Sequence, residues 1–64
     1  MREAELRSRL DAVLGPDYAP SWAATVALQG LDSRSVEEAL RAGVPCKEIW
    51  RAVWVELELP DRMR

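Results

Sequence analysis

Apolar residues along this chain recur three and four positions apart, so the pattern predicts helices and no strands. Leu6, Leu10, Val13 and Leu14 form one stripe over residues 2–14. Gly15-Pro16 closes it, a glycine stop followed by a residue that cannot continue a helix. A second helix is predicted up to about residue 29. Asp17 is placed to cap it, Pro20 fits its first turn, and Tyr18, Trp22, Ala23, Val26 and Ala27 offer an inward face. Residues 30–34 read as a polar loop.

Two further helices follow at a tight turn. Ser35 and Glu38 stand at capping-box spacing, where the hydroxyl accepts from a first-turn amide and the carboxylate reaches back to the cap's own N–H. Val36, Ala39 and Leu40 supply the apolar stripe. Gly43 can take the left-handed conformation that ends a helix without a Cβ clash, so this helix closes at about Ala42. Val44-Pro45 restarts the chain, proline being tolerated in a first turn. Ile49, Val53 and Leu57 then share one face until Leu59-Pro60 stops the last helix. The fold class is all-α: a single small domain of three to four short helices over 1–60, ending in a helix-turn-helix-like hairpin, with 61–64 as a frayed tail. No internal repeat is present.

Ala39, Gly43 and Ile49 stand at the relative offsets of a DNA-binding helix-turn-helix: a small residue at the crossing, a glycine at the turn, a branched residue on the second helix. The same offsets serve any tight helical hairpin. Charge argues against the DNA reading. The chain carries a net charge of −2, and residues 45–58 hold Lys47 and Arg51 against Glu48, Glu56 and Glu58, whereas affinity for phosphates comes from cations.

A chain of 64 residues has room for one core, which leaves only about 3–5 kcal/mol of net stability. Apolar residues make up 48% and charged residues 31%, the balance of a folded domain and not of a disordered tail. No apolar run is long enough to span a bilayer, and the charged, amphipathic start MREAELRSRL lacks the apolar core of a secretory signal. A cytoplasmic location is expected. The single cysteine, Cys46, agrees with a reducing compartment.

The same inventory removes most chemistry. Histidine is absent, which takes away the usual general base and the commonest metal ligand, and one cysteine cannot build a zinc site. Cys46 beside Lys47 near a helix start has no histidine partner and reads as inert. The acidic clusters Glu37-Glu38 and Glu56 with Glu58 read as solvated helix faces. Gly15, Gly30 and Gly43 are isolated, and each fits a helix end better than a phosphate cradle. Neither an enzymatic activity nor a cofactor is expected.

Three tryptophans are many for so short a chain. Trp22 belongs to the stripe of the second helix and reads as core. Trp50 and Trp54 are one turn apart and rotated from the line of Ile49, Val53 and Leu57, so the apolar sector is wider than one partner helix covers. Lys47, Trp50, Arg51 and Trp54 are therefore the candidate partner-binding residues. An aromatic anchor flanked by cations is the composition enriched at protein interfaces.

The run S-V-E-E-A-L-R-A-G-V-P-C-K-E-I-W-R-A-V, with Tyr18-Ala19, Ser21, Leu31 and Arg34 upstream, resembles the small actinobacterial family called domain of unknown function 3046. Its most specific part is the E-A-L-x-A-G-V block of residues 38–44 joined to I-W-R-A at 49–52. The resemblance implies a small helical cytoplasmic protein with no established activity. It also implies a gene encoded near those of the recombinase RecA and its regulator RecX, as is frequent in that family, which makes recombination proteins the first partners to consider. The chain departs from the family pattern at Leu6-Arg7, in place of an aromatic pair, at Thr25, in place of an acid, and at Trp54, in place of a cysteine. Cys46 is not at that cysteine position and inherits no role from it.

Overall fold

The computed structural model describes residues 1–60; the tail read at 61–64 lies outside the described residues. Four α-helices follow one another, α1 (Glu3–Leu14), α2 (Ala19–Thr25), α3 (Val36–Arg41) and α4 (Cys46–Glu56), with a 3-10 turn at Gln29–Leu31 between α2 and α3. No named strand occurs among the described residues. The expectation of an all-α domain holds.

The capping box forms as the spacing requires. The Glu38 amide donates to Ser35 Oγ at 3.1 Å, and the Ser35 amide donates to Glu38 Oε1 at 2.9 Å. Ser35 is buried, so the cap also satisfies polar groups that water cannot reach. Bonding to the Ser35 backbone and hydroxyl holds the Glu38 carboxyl below the usual carboxylate range. At the other end Gly43 has φ +84°. Its amide donates to the Leu40 carbonyl at 3.1 Å and that of Val44 to Ala39 at 3.0 Å, the paired bonds of a Schellman ending. A helix of six residues does not persist alone in water, so these two caps and the core contacts of Val36 and Ala39 are what hold α3.

Helix α4 ends by the same device without a glycine. The Glu58 amide donates to Val55 and that of Leu59 to Trp54, while Glu58 itself sits at φ +52°. The chain therefore leaves the helix after Glu56, ahead of the Leu59-Pro60 stop read from the sequence. Left-handed backbone costs an L-residue roughly 1–2 kcal/mol. Glu58→Gly is expected to raise stability by about 0.5–1 kcal/mol once the extra chain entropy of glycine is set against the relief. A urea titration giving an unchanged or lower midpoint would show that Glu58 carries no such strain.

The second helix differs most from expectation. Asp17 does not cap it: the N-cap is Tyr18, which makes no side-chain capping bond, and Tyr18 faces solvent at 56% exposure instead of pointing inward. The helix stops at Thr25, well before residue 29. There the Thr25 hydroxyl donates to the Ser21 carbonyl at 2.8 Å, and Val26 turns extended. Thr25-Val26 is a β-branched pair, which favours extended backbone over another helical turn. Ala27 is exposed, and Leu28 and Leu31 enter the core in its place. A single antiparallel bridge between Leu28 and Arg34 ties off the loop. Gly30 serves a different purpose from a helix end. A Cβ there would stand 3.1 Å from that of Ala52, so the missing side chain lets the 3-10 turn lie against α4.

The core gathers Leu6 and Leu10 of α1, Trp22 and Ala23 of α2, Leu28 and Leu31, Val36 and Ala39 of α3, and Ile49, Trp50 and Val53 of α4. Every buried side-chain polar atom among the described residues has a hydrogen-bond partner. Across the outside, Arg7 of α1 grips Glu37 of α3 with both arms of its guanidinium, Nη1 to Oε2 at 2.7 Å and Nη2 to Oε1 at 2.9 Å, while its Nε donates to Glu3. Arg7 lowers the Glu37 carboxyl and is itself raised in turn.

Both lowered carboxylates make stability depend on acid. Their folded-state pKa values lie below the unfolded ones, so their contribution is complete above the ordinary carboxylate value of about 4.3 and is lost as pH falls through the lowered values. Melting temperature should hold from neutral pH to about 5 and then fall. Glu37→Gln should flatten that fall while costing under about 1 kcal/mol at pH 7, the Arg7–Glu37 pair being part-exposed. A parent and variant with parallel acid limbs would exclude Glu37 as a source.

Candidate functional site

Residues 47, 51, 54 and 55 of α4 fall on one side of the helix by its 3.6-residue period, with residue 50 on their core-facing border. The structure brings the four candidate residues together: Lys47, Trp50, Arg51 and Trp54, joined by Val55, line one cleft of about 540 Å³. Their roles within it differ from the sequence reading. Trp50, expected as an anchor presented to a partner, is only 4% exposed and belongs to the core. Arg9 of α1 places a cation over its ring, 5.5 Å from the ring centroid.

Exposed apolar area lies further along the helix. Trp54 is half-buried, and its indole N–H donates to the Pro60 carbonyl at 3.0 Å, fixed there by the turn that ends α4. Val55 is 62% exposed. The sequence reading missed Val55, although it stands well off the line of Ile49, Val53 and Leu57, and that displacement was the signal. Lys47 and Arg51 are exposed and form no ion pair with any described residue.

Arg51 and Val55 form a ridge. They also line a second cleft, of about 500 Å³, together with Asp32, Arg34, Glu48 and Glu56. Of the charges of α4, Lys47 borders only the aromatic cleft, Glu48 and Glu56 line only the other one, and Arg51 borders both. Among the described residues no three histidine, cysteine, aspartate or glutamate side chains gather as a metal site needs. Cys46 is half-buried at the start of α4 and packs against the core. No helix is long and apolar enough to cross a membrane among the described residues.

The family model described as "Protein of unknown function (DUF3046)" matches residues 1–62. The chain belongs to this family. No curated protein and no solved structure matches it. In this DUF3046 chain the positions at which the sequence resemblance breaks down are all occupied by side chains with a definite place. Leu6 is fully buried, Arg7 clamps α1 to α3, the Thr25 hydroxyl closes α2, and Trp54 walls the cleft.

Proposed function

We propose that this DUF3046 chain is a non-enzymatic interaction module that docks a protein partner on the outer face of α4, in a DNA repair or recombination setting. One observation carries the reading: exposed Val55 and half-buried Trp54 lie beside two cations, Lys47 and Arg51, that no described carboxylate pairs. Aromatic and aliphatic area bordered by an arginine is the composition on which interfaces concentrate their binding energy.

Purified RecA and RecX are the first partners to test, by anisotropy of the labelled chain, beside mixed-sequence duplex DNA at low and at physiological salt. Saturable binding to a recombination protein is expected, and Val55→Asp should weaken it at least tenfold with an unchanged melting temperature, since Val55 contributes little to the core. Binding to duplex DNA that weakens steeply with salt and is lost in Lys47→Ala and Arg51→Ala would replace this reading with that of a helix-turn-helix.

A further inference from the structure

Resting on that docking reading, we infer that the segment received by the α4 cleft is acidic, setting apolar side chains against Trp54 and Val55 and carboxylates against Lys47 and Arg51. The argument is one of charge complementarity. The protein as a whole is acidic, at −2, yet the five described residues lining this cleft include two cations and no carboxylate. Glu48 and Glu56 of the same helix line the neighbouring cleft, which Arg51 also borders, but form no ion pair with either cation. A basic segment would meet uncompensated like charge, and a neutral one would leave both cations without partners. An acidic one gains two charge-assisted contacts at a rim where solvent still relieves desolvation.

The spacing sets the form of the segment. Lys47 and Arg51 are one helical turn apart, a rise of about 6 Å along the axis. Carboxylates four apart on a helix or two apart on an extended chain match that interval. The occupant is a segment and not a second globule, because standard interfaces engage roughly 20–30 residues a side and this cleft offers five described ones.

Three labelled peptides of about a dozen residues test it, sharing leucines one helical turn apart and carrying glutamate, glutamine or lysine at the remaining polar positions. Each is titrated with the full chain and followed by anisotropy at low and at physiological salt. The glutamate peptide should bind at least tenfold more tightly than the glutamine one, and its advantage should shrink with salt. The lysine peptide should not bind. The double variant Lys47→Glu, Arg51→Glu, altered only at exposed positions, should reverse the preference. Equal binding of the glutamate and glutamine peptides would overturn the acidic segment while keeping α4 as a docking face. Failure of all three peptides would overturn both, and a double variant that still prefers glutamate would place the acidic site elsewhere.

Discussion

Trp50→Ala should leave the chain without a cooperative fold. The indole is 4% exposed at the junction of α1 and α4, with Arg9 across its ring. Truncating a buried tryptophan to alanine costs about 3–5 kcal/mol through lost transfer energy and the cavity left behind. A core of this size supplies a net stability of the same magnitude, so little or nothing remains. Far-UV circular dichroism at room temperature should lose most of its helical signal, and urea should produce no sigmoidal transition. Trp54→Ala is the control: half-buried at the helix rim, it should keep a cooperative melt at a reduced midpoint. A Trp50→Ala protein that melted like the parent would mean that the ring is not where α1 and α4 meet.

Gly43→Val should cost about 2 kcal/mol, within the range of roughly 1–3 for a residue forced into sparsely populated backbone. The penalty is purely torsional. An added Cβ would meet no atom within 4 Å, but φ is +84° and a β-branched residue resists that conformation. Gly43→Asn should recover much of the loss, because asparagine visits the left-handed region more readily. If valine and asparagine destabilised equally, a cause other than backbone conformation would be at work. The contrast with Gly30 is instructive, since there φ is ordinary and the neighbouring Ala52 sets the limit.

What the sequence disclosed and what it hid divide along physical lines. The capping box at Ser35, the glycine ending at Gly43 and the Leu6–Leu10 stripe were legible because each is a local rule with a fixed spacing. The segment after Thr25 was not. Leu28 and Leu31 carry no helical period, and they are buried because Gly30 permits contact with Ala52 and a bridge joins residues 28 and 34. Those are pairings between distant parts of the chain, which no window of sequence displays. Trp50 misled for a related reason: Lys47 and Arg51 lie near it in sequence, while Arg9, which lies over its ring, comes from α1. The grouping of Lys47, Arg51 and Trp54 could be anticipated because one helix carries all three.

The uneven burial of the three indoles gives the molecule a built-in optical division of labour. Trp22 and Trp50 are buried and are expected to emit further to the blue than an indole in water, so a red shift would register the loss of the core. Trp54, partly in water at the cleft, starts further to the red and would shift to the blue when an occupant displaces that water. Unfolding and docking therefore move the emission maximum in opposite directions, and one unlabelled sample distinguishes a variant that has lost its partner from one that has lost its structure.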